Sequence, residues 1–420
     1  MPQHPATVTI DKFKGLNNKA SPQKTPQDYF KIIENLDTAD GSELRVRPGY
    51  TMIASGNYHS LFSYGNVCLV VKDDMLYHYI NNLFIELAYV GPDLLSYCVI
   101  NNEIYIMSPS YKAIYGFNGL RSFGVEHVNP LPNLTEATGG MLKHGRYQVA
   151  VTALGSSGLE SGVATTSCID VQNDSAKIVV TGLQAPTGAV AIRLYVSECD
   201  GTTLYLYKTL TASQAVIDIT LNLTQPLETE GLYPPPYGEL IRYFRGKSLV
   251  VDKNIIWISK EYQYETFDMD IDFLQFHTNV VDIVPMESGI FVGLEDGTLS
   301  FLSGLNMKES GIFLKEYYLI VRNSAQQIPA SHLILQGLPP GARHLILTDK
   351  GIVALLEQGI VINMTDTNVL FPEGTKGASV FISNRGLDKY VVTLQQQEDN
   401  NEFAPTDLVT CELIRNGVRI

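Results

Sequence analysis

The segment GKSLVVDKNIIWISK, residues 246–260, is an apolar run, a polar break and a second apolar run, and its shape returns along the chain. Six copies can be laid beneath one another: residues 61–80, 97–117, 241–259, 280–304, 344–364 and 380–394. Each reads as strand, short polar turn, apolar strand and turn, with a further strand in most copies. Val, Ile, Tyr and Phe fill the runs and Gly, Asn and Asp split them, the pattern of strands joined by tight turns. Uninterrupted copies recur at roughly 35 to 45 residues, the period of propeller blades. One such sheet cannot cover its own two faces, whereas neighbours in a closed ring cover them and remove most of the exposed edge. The central runs are nearly continuous in apolar residues, as strands buried on both faces must be. The expected fold is therefore all-β, a β-propeller of six or seven blades in preference to a long β-sandwich or a solenoid. A chain of 420 residues is also longer than one ordinary core.

The interval between the second and third copies is too long for one blade, and its composition shifts to Thr, Ser, Ala and Gly. Within it stand GRYQVAVTALGSSGLESG, KIVVTGL and AIRLYVSECDGTTLYLYKTL. The Gly-Arg-Tyr-x-Val-x-Val opening, the Gly-x-Glu-Ser-Gly turn and the Arg-Leu-Tyr-Val strand resemble a fibronectin type III-like sandwich, which rests on about seven alternating strands. Such a domain can be spliced into a surface loop of its host. NPLPNL before it and LYPPPYGE after it read as stiff proline hinges. The expected layout is residues 1–140 for the amino-terminal segment and first blades, 141–223 for the inserted sandwich and 224–420 for the remaining blades. The best helix candidate is TPQDYFKIIENLD, residues 25–37, with Phe30, Ile33 and Leu36 on one face and Thr25 as cap.

Charged residues are few, 18%, and the formal net charge is −14. That argues against a strongly basic protein that grips nucleic acid; a negative surface that keeps the protein soluble is the simpler reading, and an acidic wall past which DNA slides also fits. The cysteines, Cys68, Cys98, Cys168, Cys199 and Cys411, are odd in number, have no C-x-x-C pair and mostly lie in apolar runs, as buried free thiols do. MPQHPATVTIDKF has neither the basic nor the apolar region of a secretory signal. GIVALLEQGIVI, residues 351–362, is broken by Glu357 and Gln358 and is too short for a membrane span.

Catalytic constellations are missing from the sequence. GSSGLESG is not G-x-S-x-G, there is no Walker or dinucleotide glycine motif, and the eight histidines show no H-E-x-x-H or Cys/His pairing. FDMDIDF places Asp268, Asp270 and Asp272 at alternate positions, as a calcium loop begins. Phe273 and Asn279 stand where such a loop needs glycine and glutamate, so a strand with Met269 and Ile271 inward is the better reading. LEDGTLSF, residues 294–301, reads as an Asp-Gly hairpin. Tyr77, Tyr79, Tyr105 and Tyr115 fall within strands and are expected to pack. No catalytic, metal or cofactor-binding residue is expected, and no cofactor.

The most distinctive text precedes the first copy. FKGLNN, residues 13–18, is followed by ENLDTADGSELRVRPGY, residues 34–50. Asn35 and Asp37 lead into a turn at Asp40-Gly41, a short strand carries Arg45 and Arg47, and Pro48-Gly49 closes it before Tyr50. Two arginines on one strand face can clamp carboxylates of a neighbour, within the chain or across subunits. This pattern resembles the amino-terminal signature of tail nozzle or packaged-DNA stabilisation proteins of short-tailed phages. YFRGKSLVVDKNIIWISKEYQYETFD, residues 243–268, and the copy at 280–304 are similar to further segments of that family. Ser42 departs from it by lengthening the turn.

The resemblance implies a non-enzymatic virion protein of the tail, made in the host cytoplasm. Copies would form a homo-oligomeric ring, expected to be a hexamer, below the portal and adaptor proteins and in contact with tail fibres. Genomic DNA would be retained and ejected through it without sequence-specific binding and without a membrane span. Asn35, Asp37, Arg45, Arg47 and Tyr50 are then the candidate assembly contacts. The alternative is a receptor-binding module in which the propeller or the sandwich holds a host-surface glycan.

Overall fold

The computed structural model describes residues 13–39, 43–47, 49, 51–163, 165–211, 213–219, 223–303, 312–329, 343–366, 368–371, 376–384, 387–395, 407–414 and 417–419. Among these the regular structure is strand, apart from one short 3-10 turn at Glu357–Gly359. The chain divides into two compact units, Gly56–Gln275 and Met1–Ser55 with Phe276–Ile420. The six sequence copies fall on six separate antiparallel meanders, here called blades 1 to 6, three in each unit.

In the unit Gly56–Gln275, blade 1 consists of Tyr58–Tyr64, Val67–Lys72, Met75–Ile80 and Leu83–Tyr89. Blade 2 consists of Ser96–Ile100, Glu103–Met107, Lys112–Gly116 and Gly119–Ser122. Blade 3 consists of Leu240–Phe244, Lys247–Asp252, Ile255–Lys260 and Gln263–Phe267, with Phe273–Gln275 pairing beside its third strand. Several polar breaks are two-residue turns with both residues at positive φ: Asp73 and Asp74 (49° and 65°), Asn81 and Asn82 (51° and 63°), Asn101 and Asn102 (51° and 63°). Such turns match the twist of the strands they join, and Asn and Asp enter the left-handed region at least cost after glycine. That is why the breaks carry these residues.

The blades stack face to face. On the second strand of blade 2, Ile104 and Ile106 meet Leu69, Val71 and Leu76 of blade 1, while Tyr105 and Met107 meet Ile241, Val250 and Phe267 of blade 3. Alternate residues serve opposite neighbours, so the run must be apolar throughout. Buried polar latches join successive first strands. The Leu95 N–H donates to Ser60 Oγ at 2.9 Å and the Tyr97 hydroxyl to the Ser60 carbonyl at 2.9 Å. Ile241 N–H donates to Ser96 Oγ at 3.1 Å.

Between blades 2 and 3 lies a two-sheet sandwich. Asn133–Leu142, Ala176–Thr181 and Gln214–Ile217 form one sheet, and Ser167–Val171, Gly145–Gly155, Ala189–Ser197 and Leu204–Leu210 the other. Val149, Val151, Ile178, Val180, Leu194 and Val196 fill the space between them. Its first strand begins at Asn133, ahead of the boundary at Met141 suggested by composition. The chain enters and leaves through one neck, where His127 Nε2 lies 2.8 Å from the Leu232 carbonyl and its ring 4.9 Å from that of Tyr233. The Gly-x-Glu-Ser-Gly turn and the Arg-Leu-Tyr-Val strand meet at Glu160. Its carboxylate accepts from Tyr195 at 2.6 Å, from Arg193 at 2.5 Å and from the Thr152 hydroxyl.

In the other unit, blade 4 consists of Val280–Pro285, Gly289–Leu294, Thr298–Ser303 and Ile312–Tyr317. Blade 5 consists of Gln326–Ile328, Arg343–Thr348, Gly351–Leu356 and Val361–Asn363, and blade 6 of Lys376–Asn384, Leu387–Gln395, Asp407–Ile414 and Gly417–Arg419. The alternation recurs: Ile346, Val353 and Leu355 face Phe291 and Phe301 of blade 4, and Leu345, Leu347 and Ile352 face Tyr390 and Val392 of blade 6. So do the latches, from Asn323 N–H to Asp282 Oδ2 at 2.9 Å and from the Tyr390 hydroxyl to the Ser324 carbonyl at 2.6 Å. The buried Glu357 carboxylate accepts the Glu287 and Ser288 N–H groups at 3.0 and 2.8 Å, tying the last turn of blade 5 to the first turn of blade 4. The Asp-Gly hairpin forms as expected, with Gly297 at φ +83°. His277 and the Thr298 N–H hold the Asp296 carboxyl down at about 2.

Three expectations are corrected. Residues 25–37 form no helix: Tyr29–Phe30 is a short parallel strand beside Gly15–Leu16, and a further strand begins at Leu36. Pro26 starts a turn here, and Phe30 packs on Phe13 through the strand pairing instead of through a helix face. FDMDIDF is not a strand after Phe267 but a turn in which Lys260 Nζ lies 2.9 Å from both Asp268 and Asp272, leaving Ile271 exposed. One lysine between two carboxylates bends the segment back on itself. Cys168 is exposed, because it lies on an edge strand of the sandwich; Cys98 is covered, and burial pushes its thiol up to about 12. The Cys411 side chain and the Asp40-Gly41 turn lie outside the described residues.

Two predictions follow from this packing. A Cβ at Gly162 would stand 1.6 Å from the Leu232 carbonyl oxygen, whereas one at Gly158 would meet nothing within 4 Å but would sit at φ +83°. Gly162→Ala should therefore cost about 1–3 kcal/mol or more and Gly158→Ala about 1 kcal/mol, as read from urea unfolding; equal losses would show that the neck yields freely. The second concerns His344, whose imidazole is pushed down to about 4 by burial, against the opposing pull of Glu357 and Asp282. The unfolded histidine titrates near 6.5, so as pH falls the unfolded chain takes the proton first, and stability is lost between about pH 6.5 and 4. His344→Gln should flatten the fall in unfolding free energy between about pH 7 and pH 5 by about 2 kcal/mol. An unaltered slope would place the acid sensitivity elsewhere.

Candidate functional site

FKGLNN is an anchor. Phe13 is buried, its ring 5.0 Å from that of Phe30, and Gly15–Leu16 pairs in parallel with Tyr29–Phe30. The Asn17 amide oxygen accepts the Ala20 N–H at 3.0 Å and closes a turn. Asn18 clips this turn to the chain leaving blade 5: its Nδ2 donates to the Leu370 carbonyl at 3.0 Å, and its Oδ1 accepts the Leu370 N–H at 2.7 Å. Lys19 adds an ion pair to Asp366 at 3.2 Å, exposed and of little energetic weight.

Beyond the anchor, Leu36–Ala39 and Glu43–Val46 form a two-stranded hairpin that pairs with no other sheet among the described residues. The expected contact residues are brought together there. Asp37 stands opposite Arg45, and the Asn35 carbonyl accepts the Arg47 N–H at 2.9 Å, with Asn35 itself at φ +55°. Arg45 is exposed and Arg47 half-buried. The Asp37 side chain and the whole of Tyr50 lie outside the described residues. Sequence reasoning singled out the arginines and missed their apolar company: Ile32, Val46, Met52 and Ile53 are each at least 75% exposed. The available signal was Met52-Ile53, an apolar pair outside every strand copy.

A second feature is a cleft of about 550 Å³ in the unit Gly56–Gln275, where blades 1 and 2 and residues 155–157 of the sandwich adjoin. Arg121 spans its floor, with Glu103 at 2.7 Å and Glu265 at 2.8 Å. Burial works against the guanidinium charge, but the two carboxylates outweigh it and shift Arg121 upward. Glu265 also accepts the Gly124 N–H at 3.0 Å, so it fastens blade 3 to blade 2, while Glu103 holds Arg121 within blade 2. No group of three or more His, Cys, Asp or Glu placed to hold a metal occurs among the described residues. The four strand tyrosines pack as expected. Tyr105 is buried, Tyr115 bonds His78 at 3.0 Å, and Tyr77 and Tyr79 lie against Phe84. No helix among the described residues is long and apolar enough to cross a membrane.

No family model matches the chain, and no curated protein does. Among solved structures, the chain is similar to BBS1N in complex with ARL6DN, at 12% identity and TM-score 0.33, with 83% of this chain and 93% of that one covered. A computationally designed protein, Ika8, gives 9% identity and TM-score 0.34 over 86% and 95% of the two chains. The extracellular domain of the putative one component system BT4673 from B. thetaiotaomicron gives 10% and 0.23 over 91% and 61%. These scores are low, and the all-β assignment rests on the sheet orders and registers described above.

The anchor can be tested by itself. Asn18→Ala removes two hydrogen bonds worth about 1 kcal/mol each, and should make residues 13–55 the first site of limited proteolysis while the blades keep their melting temperature. Unchanged cleavage kinetics would show that Phe13 and the short parallel pair hold the segment without the clip.

Proposed function

We propose that this protein is a structural virion component of a short phage tail, a nozzle or head-to-tail conduit subunit that acts by assembling into a ring. The observation that carries the reading is the amino-terminal hairpin. A segment fastened by Phe13 and Asn18 presents Arg45 together with Val46, Met52 and Ile53 to solvent. Exposed apolar side chains in the same segment as an arginine suit a subunit contact, with burial supplying affinity and the guanidinium supplying direction. A contact between different surfaces of identical subunits gives a ring where its rotation closes, and a filament where it does not. Blades joined by buried latches suit a wall that must not deform as DNA passes, and an overall charge of −14 disfavours adhesion to phosphate. The fibronectin type III character of the sandwich belongs to the same proposal.

Native mass spectrometry or particle imaging of the full chain tests it. The expected result is a closed ring, a hexamer, at concentrations where Arg47→Ala and Ile53→Asp give mainly monomers with unaltered melting temperature. A wild-type chain that stays monomeric, or an Arg47→Ala ring that forms normally but melts much earlier, would overturn the assignment.

A further inference from the structure

The first turns of blades 1, 2 and 3 are linked side by side at one end of the unit Gly56–Gln275, and tyrosines and asparagine amides interleave there. The Tyr64 hydroxyl donates to Asn102 Oδ1 at 3.0 Å, joining blade 1 to blade 2. The Tyr264 ring stands edge-on to Tyr105 at 6.5 Å, joining blade 2 to blade 3, and its phenol lies near the Asn101 side chain. The Tyr243 ring stands edge-on to Tyr264 at 6.0 Å, and its oxygen accepts the Gly246 N–H at 3.1 Å. Tyr262 donates its N–H to the Gly246 carbonyl at 2.7 Å and lays its ring over that glycine, where a Cβ would come within 3.0 Å of the ring. Six side chains thus form one arc across three blades. Tyr64, Tyr243 and Tyr262 are 41%, 40% and 71% exposed, and both asparagines are exposed.

Turn geometry explains the asparagines, since positions 101 and 102 have positive φ. It does not explain why tyrosines beside the turns face water. We propose that this arc binds a neutral oligosaccharide. Phenol rings take the C–H faces of sugars, and amides fixed by neighbouring bonds take their hydroxyl groups. The charged side chains of the adjoining turns, Arg245 and Glu261, are opposite in sign, and Arg245 lies over the Phe244 ring at 5.6 Å. The six side chains of the arc are themselves uncharged, so it is not built to select phosphate or an acidic polymer. It also holds no aliphatic side chain, unlike the amino-terminal surface, and this separates it from a subunit contact. The inference does not depend on ring assembly.

The test is titration of the full chain with maltohexaose, cellohexaose, chitohexaose and, as the acidic control, hexagalacturonate, followed by calorimetry and saturation-transfer NMR. At least one neutral hexaose should bind and the uronate should not. Tyr64→Ala and Tyr262→Ala should each weaken binding roughly tenfold, the value of one aromatic contact, with at most a small fall in melting temperature, and Tyr262→Phe should retain it. The proposal is overturned if none of the three neutral sugars binds at millimolar concentration, if both alanine variants bind as wild type does, or if they change the native mass instead.

Discussion

Everything in this molecule follows from the need to cover a β-sheet on both faces. Ile104 and Ile106 look one way and Tyr105 and Met107 the other, and each pair finds a different blade. The same arrangement returns on blade 5, where Ile346 and Leu347 are neighbours in sequence but belong to different cores. A blade inside such a stack has no solvent face, and its central strands cannot alternate polar with apolar residues as a half-exposed sheet does. Stacking is thus a condition of folding, and the repeat is its record in the sequence.

Apolar faces alone would let blades slide, because dispersion and the hydrophobic effect carry little direction. The latches supply it. Ser96, Asp282 and Ser324 are buried polar residues on or beside first strands, each bonded to the adjoining blade. An unmatched buried acceptor is costly, so a wrong register would lose more than one hydrogen bond. The Arg121–Glu103–Glu265 set does the same work further out. The sandwich leaves this order undisturbed because both of its ends pass through the His127–Tyr233 neck.

What was legible in the sequence follows the same division. Blades were readable because their apolar period is dictated by neighbours on both sides, and the Asp296-Gly297 hairpin because only certain residues adopt its turn. The start of the sandwich was misjudged because Asn133–Leu142 is mostly exposed or half-buried and lacks the run of apolar residues that marks a core strand, although its Thr, Ala and Gly already belong to the sandwich. Residues 25–37 and FDMDIDF failed for a related reason. In each, a local pattern was overruled by a specific partner, the Gly15–Leu16 strand in one case and Lys260 in the other. The arginines of the hairpin were legible by type, but the exposure of Val46 and Ile53 was not, since hydrophobicity in a sequence does not say which side chains remain uncovered.

Function, on this account, is confined to what stacking leaves over. Strand interiors are committed twice, to the blade before and the blade after, and a side chain changed there is felt by both. Turn tips and the amino-terminal segment carry no such obligation. Large apolar and aromatic groups meet water there as well as on some strands: Ile53 after the hairpin, and Tyr262 above Gly246. Leaving them exposed forgoes the stabilisation that burial gives, and nothing in the packing requires it. The two surfaces also differ in chemistry, aliphatic with arginine in one and phenolic with amide in the other, so they suit different partners.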